Sequence, residues 1–391
     1  MGKRKIAIYT GNRAEYGLQL PIIKAIDNHP DLDYSLIVSG AHLEKKYGET
    51  VNEIKKDGFK VSHEIKLDLK NDFLNNTPEA IGFGITEIAK ALKKIKPDLC
   101  LVYADRFETF AASIASSQSG IPTVHLEGGD ITEGGALDDS VRHAITKLSN
   151  LHFTTNHEAS KRILKLGEEK WRVHTAGYPT LDLIKAKEYT SSEKMIEKYG
   201  IDTSKNLLLL SMHSVTLEAS EARSQVVPVL KAINDLPNKY RTIATYPNND
   251  AGGRAIIKEF KQFNRTSDNF TLIPSLGRED FHGLLALNKD MKITMMGNSS
   301  AGIKETPIFK CPSINIGSRQ QGRLRSSNVI DSDYKKSQIL AAIKKSFSES
   351  FRDKCRNCKN PYGKGMAGEV VTKVLAEVPL DKKLLIKKMT Y

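Results

Sequence analysis

The chain has 391 residues, of which 39% are hydrophobic and 27% are charged, and its formal net charge is +13. This composition is typical of a globular protein with two domains, and it argues against extensive disorder, collagen-like repeats and fibrous folds. No apolar run approaches the roughly 20 residues that a membrane-spanning helix needs, and no signal-peptide pattern opens the chain. We therefore expect a soluble, cytoplasmic protein with no membrane partner.

Short apolar runs alternate with longer amphipathic stretches in residues 1–180. Strands are predicted at 5–10, 34–39, 98–103 and 123–127, and helices at 18–28, 47–57, 79–95 and 107–117. The strands are continuous apolar runs, which is typical of parallel strands covered on both faces. This half is predicted to be a Rossmann-like domain.

The same pattern restarts in the second half, with strands predicted at 206–212, 240–246, 270–273, 291–296 and 313–316. The sequence therefore predicts an α/β protein of two doubly wound, Rossmann-like domains, 1–180 and 181–366, which face each other across a cleft. Residues 367–388 are predicted to form a helix, so that the segment 367–391 packs back onto the first domain.

The charge is unevenly distributed, because basic and acidic residues balance in residues 1–180 and the whole surplus lies after residue 180. Such a surplus favours an anionic ligand, and a nucleotide diphosphate, a nucleic acid and an anionic lipid all satisfy it. The lysines are scattered singly and in pairs without a long basic block. This distribution argues against a macromolecular polyanion as the partner.

Polar residues directly follow the predicted strands, which is where parallel sheets bind their ligands. Acidic residues hold several of these positions in the first half, and small or donor-rich residues hold them in the second. The positions are 11–13, 105–106, 127–130, 213, 247–250 and 297–300.

The segment 297–303, Gly-Asn-Ser-Ser-Ala-Gly-Ile, has the properties of a phosphate-binding turn. Its small residues let backbone N–H groups approach a phosphate, and Ser299 and Ser300 add hydroxyl donors. A serine-capped helix after a turn explains the same pattern. Glu305 can accept the two hydroxyls of a ribose, and Arg319 and Arg323 can pair with phosphate oxygens or simply lie in an exposed loop.

Three carboxylates and one histidine are candidates for acid–base chemistry: Asp105, Glu127, Asp138 and His213. Each has a structural alternative. Glu127 and Asp105 can order a loop, Asp138 and Asp139 suit the first turn of a helix, and His213 can be a hydrogen-bonded structural group.

The cysteines do not predict a metal site. Cys355 and Cys358 have CxxC spacing, but no second pair or histidine cluster accompanies them. We therefore expect no metal and no redox role.

Seven ordered motifs resemble those of the hydrolysing UDP-N-acetylglucosamine 2-epimerases, in the branch that makes precursors of sialic acid and related nonulosonic acids. The resemblance runs from about residue 5 to residue 370. The motifs lie at residues 9–17, 105–109, 125–130, 138–147, 213–218, 247–250 and 297–305.

The resemblance implies a GT-B-like fold with UDP in the interdomain cleft, a homodimer, and a reaction without metal or nicotinamide. UDP leaves C1 as the C2 proton is removed, which gives a 2-acetamidoglucal, and water then adds at C1 while C2 is reprotonated from the opposite face. Asp105, Glu127 and Asp138 match the acid–base carboxylates, with the order of their roles and the choice between Asp138 and Asp139 left open. The matching ligand contacts are Arg13 and His213 for the diphosphate, and Arg106, Asn248, Ser299, Ser300, Glu305 and Arg319 for the UDP-sugar.

Two substrates fit the motifs. UDP-N-acetylglucosamine is preferred, with UDP and N-acetylmannosamine as products, and UDP-2,4-diacetamido-2,4,6-trideoxyglucose (UDP-N,N'-diacetylbacillosamine), used in legionaminic acid synthesis, is the alternative. A GT-B glycosyltransferase is a more distant possibility, because fold does not fix function. The absence of basic blocks and of aromatic residues interleaved with them argues against a nucleic-acid-binding protein.

Overall fold

A computed structural model describes residues 2–45, 48–67, 77–131, 136–247 and 251–391, without the side chains of residues 136, 137, 216 and 217. The chain divides into two compact units. The first comprises Met1–Asp130, Leu137–Leu183 and Tyr362–Tyr391, and the second comprises Ile131–Ala136 and Ile184–Pro361. The main boundary therefore lies after residue 183 rather than 180, and residues 362–366 join the first unit.

The first unit is built on a parallel sheet. Within the part of the chain that the structure describes, seven strands pair in the order β3-β2-β1-β4-β5-β6-β7. The strands are β1 (Arg4–Thr10), β2 (Leu32–Ser39), β3 (Val61–Ile65), β4 (Leu99–Tyr103), β5 (Thr123–Leu126), β6 (Leu151–Thr154) and β7 (Val173–Thr175). The helices are α1 (Arg13–Asp27), α2 (Val51–Lys56), α3 (Thr77–Ile95), α4 (Phe107–Gln118), α5 (Ala136–Leu148), α6 (His157–Lys165) and α7 (Thr180–Lys185), which crosses the boundary.

Helices cover both faces of this sheet because its strands are apolar on both sides. Along β1, Ile6 and Ile8 face a core formed with α1 and α2. Ala7 and Tyr9 face the opposite core, formed with α3, α4 and α5. Burial on both faces is the reason why these strands are continuous apolar runs rather than alternating ones.

The second unit repeats this architecture. Among the described residues, six parallel strands pair in the order β10-β9-β8-β11-β12-β13. They are β8 (Asn206–Ser211), β9 (Tyr240–Thr245), β10 (Phe270–Ile273), β11 (Ile293–Gly297), β12 (Ser313–Ile316) and β13 (Val329–Ser332). The helices are α8 (Ser192–Tyr199), α9 (Ala222–Asn234), α10 (Gly253–Asn264), α11 (Gly277–Ala286), α12 (Ala301–Lys304), α13 (Lys336–Ser346) and α14 (Glu349–Arg356).

The C-terminal segment belongs to the first unit. Helix α15 (Ala367–Glu377) packs on α1, and its residues Val371 and Leu375 are part of the hydrophobic core of the first unit. The helix predicted over 367–388 is interrupted, because the chain leaves the helical conformation at Val378, before Pro379, and only α16 (Lys382–Leu385) follows. Proline cannot continue a hydrogen-bonded helix.

No helix within the described residues is both long and apolar enough to cross a membrane.

Candidate active site

The first unit carries its candidate residues where three neighbouring strands end. Strands β1, β4 and β5 are adjacent in the sheet, and their carboxyl ends lead to Arg13, Asp105 with Arg106, and Glu127. Parallel strands end at the same edge of a sheet, so the topology brings these segments together.

Glu127 is held by a tyrosine from the neighbouring strand. The Tyr103 hydroxyl donates a hydrogen bond to a Glu127 carboxylate oxygen, and the Glu127 N–H donates to the Phe153 carbonyl at 2.8 Å. Burial, and then the charge of Glu127, raises the pKa of Tyr103 well above its usual value, so the phenol stays a donor at neutral pH. The backbone of Glu127 has φ of 62°, an uncommon conformation that orients this carboxylate at the end of β5.

Arg142 on α5 forms ion pairs with two of the acidic residues. Its guanidinium is 4% exposed, pairs with Asp105, lies 2.5 Å from the Asp139 carboxylate and donates to the Asp130 carbonyl at 2.9 Å. Asp139 is three residues before Arg142, one helical turn away, which makes this contact geometrically natural. The arginine thus joins the loops after β4 and β5 to the first turns of α5.

Asp138 differs from Asp139 in its surroundings. It is exposed at the start of α5, and its negative charge acts on Arg106. The pKa of Arg106 is raised mainly by the carboxylate of Glu108, with smaller contributions from Glu15 and Asp138. Arg106 lies 3.2 Å from Glu108, which is fully buried.

The first turn of α1 contains a second buried carboxylate, Glu15. It accepts hydrogen bonds from the Gly11 N–H at 2.8 Å and from the Thr109 hydroxyl at 2.7 Å, and burial raises its pKa to about 7. Asn12 caps α1 by accepting from the Glu15 N–H at 3.0 Å. Arg13 is 58% exposed and pairs with Glu53 at 3.0 Å.

His125 ties this end of the sheet together. One ring nitrogen bonds the Ala104 carbonyl at 2.8 Å, and the other lies 3.2 Å from the Thr146 hydroxyl on α5. Burial lowers the pKa of His125 to about 3, so the ring is neutral and its Nε2 donates to the carbonyl. The histidine therefore connects β5, the loop after β4 and α5.

In the second unit, Asn298 connects the loops that follow β8 and β11. Its side-chain oxygen accepts from the His213 N–H at 2.7 Å, and its amide donates to the His213 carbonyl at 2.8 Å. The Asn298 carbonyl accepts from Arg319 at 3.1 Å and from Gln320 at 2.9 Å. Three predicted ligand-binding segments are thus joined through one buried asparagine.

Gly297 is required by this close approach. Its φ is 126°, and a Cβ at this position would lie 2.0 Å from the Ser211 carbonyl oxygen. Only glycine permits both the conformation and the contact between the ends of β8 and β11.

His213 is buried beside this turn. Burial, with a smaller contribution from Arg319, lowers its pKa to about 3. The imidazole is therefore neutral at pH 7 and contributes a hydrogen bond rather than a charge. His213 can neutralise a diphosphate only if the bound diphosphate raises the pKa of the imidazole, as a nearby anion does.

The serine turn leads into the short helix α12, and the side chain of Ser300, at its N-cap, makes no capping hydrogen bond within the described residues. Ser299 and Ser300 are half-buried, and Ser300 precedes α12. Ser299 Oγ lies 3.4 Å from the Ala301 nitrogen. Glu305 follows α12, is 8% exposed and lies 2.7 Å from His282 Nε2 on α11. Asn248 lies outside the described residues.

Four further residues take part in these contacts without having been predicted as site residues: Tyr103, His125, Arg142 and His282. His125 and Arg142 lie inside the quoted motifs, so their positions were visible in the sequence. Tyr103 looks like one more apolar strand residue, and nothing in the sequence near His282 indicates its contact with Glu305.

Across residues 2–45, 48–67, 77–131, 136–247 and 251–391, no group of three or more His, Cys, Asp or Glu side chains could hold a metal ion. Cys355 and Cys358 are buried free thiols.

Comparison with known proteins identifies the family. The model of the UDP-N-acetylglucosamine 2-epimerase family matches residues 24–376. The UDP-N,N'-diacetylbacillosamine 2-epimerase (hydrolyzing) of Legionella pneumophila is 36% identical over 99% of this chain and 100% of that protein. The GDP/UDP-N,N'-diacetylbacillosamine 2-epimerase (hydrolyzing) of Campylobacter jejuni is 35% identical over 90% of each chain, and the UDP-N-acetylglucosamine 2-epimerase of Neisseria meningitidis is 34% identical over 88% of each.

Solved structures share the fold. The crystal structure of UDP-GlcNAc 2-epimerase from Neisseria meningitidis bound to UDP-GlcNAc has a TM-score of 0.79, with 19% identity over 95% of this chain and 99% of that chain.

The chain belongs to the UDP-N-acetylglucosamine 2-epimerase family. The predictions of two Rossmann-like domains and of an enzyme of the hydrolysing UDP-sugar 2-epimerase type are confirmed.

Proposed function

We propose that this chain is the hydrolysing 2-epimerase of UDP-N,N'-diacetylbacillosamine, with UDP and 2,4-diacetamido-2,4,6-trideoxymannose as products. The observation that carries the proposal is the match of 36% identity along the whole Legionella relative. The Campylobacter relative supports the same substrate. The comparisons thus favour the alternative over the preference drawn from the motifs alone, and the Neisseria relative keeps UDP-N-acetylglucosamine as the second candidate.

The first step in this proposal is an elimination. A carboxylate removes the proton from C2, the electron pair forms the C1–C2 double bond, and the C1–oxygen bond breaks as UDP departs. The C2 proton is weakly acidic, so its removal needs a positioned base and stabilisation of the leaving diphosphate. We assign the proton transfers to Glu127 and Asp138.

The second step is the addition of water across the same double bond. Water attacks C1 and gives a proton to one acid–base group, while the other group donates a proton to C2. This proton arrives on the face opposite to the one from which the first proton left, which inverts the configuration of C2. Two acid–base groups are therefore needed, one for each face. We assign the second role to Asp138, which is exposed at the start of α5, rather than to Asp139, which lies 2.5 Å from Arg142.

The remaining carboxylate is Asp105. We propose that it contacts the sugar, as Glu127 does, without transferring the C2 proton. Its pairing with the buried Arg142 fixes the direction of the carboxylate. A fixed carboxylate at this position can orient a sugar hydroxyl or amide, or organise the attacking water.

The second unit is assigned to the nucleotide. The turn with Ser299 and Ser300, together with Arg319, supplies donors for the diphosphate. His213 begins as a neutral donor, and the arriving diphosphate favours its protonated form. The surplus of basic residues after residue 180 agrees with an anionic ligand there.

The test of this proposal is a comparison of both substrates. UDP-N,N'-diacetylbacillosamine and UDP-N-acetylglucosamine are supplied separately to the full-length protein without any acceptor. UDP release gives kcat/KM, and NMR identifies the sugar. We expect kcat/KM for the diacetamido sugar to be at least about 10-fold higher, since one well-placed contact discriminates by this much.

Two results would contradict the proposal. Equal or faster turnover of UDP-N-acetylglucosamine would transfer the assignment to the second candidate. A requirement for an acceptor sugar would instead favour a glycosyltransferase. The variant Glu127→Gln serves as the control, because it should bind UDP and leave the coupled assay without signal.

We also propose a homodimer, on the resemblance to the family. Light scattering should give twice the chain mass of 43.5 kDa. A mass equal to that of one chain at micromolar concentration would reject this part of the proposal.

A further inference from the structure

Glu305 is a buried carboxylate with very few partners. It is 8% exposed, and His282 Nε2, at 2.7 Å, is the one hydrogen-bond partner of its side chain among the described residues. A carboxylate can accept about four hydrogen bonds, and burying one with fewer partners is costly. The remaining acceptor capacity of Glu305 therefore suits a ligand that brings hydroxyl groups.

The side chain of His282 holds this carboxylate through one ring nitrogen. It is fully buried on α11, and its ring lies beside the Phe309 ring with centroids 5.9 Å apart. A carboxylate only accepts, so the imidazole nitrogen facing it carries the proton. The other nitrogen, Nδ1, is buried without a hydrogen-bond partner in the described part of the chain.

The backbone around Glu305 is also fixed. The Glu305 N–H donates to the Ala301 carbonyl at 2.9 Å, and the hydroxyl of Thr306 donates to the Gly302 carbonyl at 2.8 Å. These main-chain contacts fix the position of the Glu305 backbone, and the hydrogen bond with His282 fixes the position of its carboxylate. A hydrogen bond in such apolar surroundings is stronger than one in water.

We infer that His282 is a positioning residue for nucleotide recognition: it holds one oxygen of Glu305 so that the other accepts a ribose hydroxyl of UDP. The inference rests on the proposed function, because it takes UDP as the ligand. It adds a specificity, since a carboxylate held in this way discriminates a ribonucleotide from its 2'-deoxy analogue. The analogue leaves part of a buried acceptor unsatisfied.

The experiment measures the affinities of UDP and 2'-deoxy-UDP for the full-length protein by isothermal titration calorimetry. His282→Leu removes the donor, and His282→Gln keeps an N–H at a similar distance from the backbone. Glu305→Ala removes the acceptor. Thermal unfolding of each variant reports whether the fold is retained, and steady-state turnover gives KM and kcat.

The wild type should bind UDP about 10-fold or more tightly than 2'-deoxy-UDP, the discrimination expected when a buried charged acceptor loses a partner. His282→Leu should weaken UDP binding by about 10-fold with little effect on the deoxy analogue, because the lost hydrogen bond is charge-assisted. His282→Gln should retain the preference. In the Leu variant KM should rise while kcat stays nearly constant, and in the Glu305→Ala background the same replacement should have no further effect.

Three results would overturn the inference. The first is equal affinity of the wild type for UDP and 2'-deoxy-UDP. The second is a preference for UDP in His282→Leu as large as that of the wild type. The third is an equal fall in the affinity for both nucleotides in that variant, which indicates a purely structural role. Turnover of the UDP-sugar by the wild type separates these results from failure of the proposed function. An inactive wild type that still discriminates the two nucleotides would support the inference and reject the proposed reaction.

Discussion

Replacing Arg142 by methionine should destabilise the protein and reduce turnover together, because this arginine joins two carboxylates and a backbone carbonyl. The guanidinium is 4% exposed, whereas Asp105 and Asp139 are 18% and 24% exposed at their side chains. Breaking a buried ion pair costs about 3–5 kcal/mol, and partial access of water to the two acids places the expected cost near the lower end, at about 3 kcal/mol.

For a unit of this size, that cost corresponds to a fall in Tm of roughly 6–12 °C, which differential scanning fluorimetry resolves easily. Turnover should fall by about 10-fold or more, since small displacements of catalytic groups are expensive. Arg142→Lys should be intermediate, because the compact ammonium keeps the charge but lacks the planar fork of the guanidinium that reaches acceptors on different segments. Arg142→Met with Asp139→Asn should recover part of the lost stability, because the double variant removes one uncompensated charge.

A result that refutes this reasoning is a Tm within 2 °C of the wild type together with unchanged kcat in Arg142→Met. Equal destabilisation of the single variant and the double variant would also contradict it, since the loss of stability would then not come from the unpaired charge of Asp139.

Further predictions address the other contacts. Glu127→Gln should keep the UDP affinity measured by calorimetry and lose about 10²–10⁴-fold in turnover, because an amide cannot exchange the proton; wild-type-like turnover would remove it from the reaction. Gly297→Ala should lower stability by more than about 1 kcal/mol and weaken UDP binding, given its φ of 126°, whereas Gly82→Ala, a helical position with open space, should be neutral or stabilising in the same unfolding assay. Because the pKa of His125 is about 3 in the folded protein and about 6.5 when unfolded, its contribution is fully present above pH 6.5 and is lost as the pH falls toward 3. The Tm of His125→Gln should therefore fall less than that of the wild type between pH 7 and pH 5, and parallel Tm curves would contradict the low pKa.

The strands at the centre of both sheets could be predicted from sequence because they are buried on both faces. The run 206–212 was predicted as a strand, and β8 spans Asn206–Ser211. Strands β3, β6, β7 and β13 were not predicted, and three of them, β3, β7 and β13, lie at the edges of the sheets, where fewer residues are buried. Edge strands carry polar residues such as His63 and Asp331, which hide the apolar pattern.

Candidate loops could be predicted for a different reason. In a parallel sheet the ligand lies beyond the carboxyl ends of the strands, so residues after each strand are candidates before any coordinates are known. Their partners could not be predicted in this way. The contact of His282 with Glu305 joins α11 to the end of α12, and that of Arg142 with Asp105 joins α5 to the end of β4. Both depend on how helices pack on the sheet rather than on local sequence.

The proposed reaction breaks the C2–H bond and hydrolyses the UDP linkage of the same sugar. The most direct measurement is NMR and mass spectrometry of the sugar formed from UDP-N,N'-diacetylbacillosamine in deuterated water. We expect one deuteron at C2 of a product with inverted C2 configuration, released together with UDP. A sugar that retains its original proton at C2 would contradict elimination and hydration as the route.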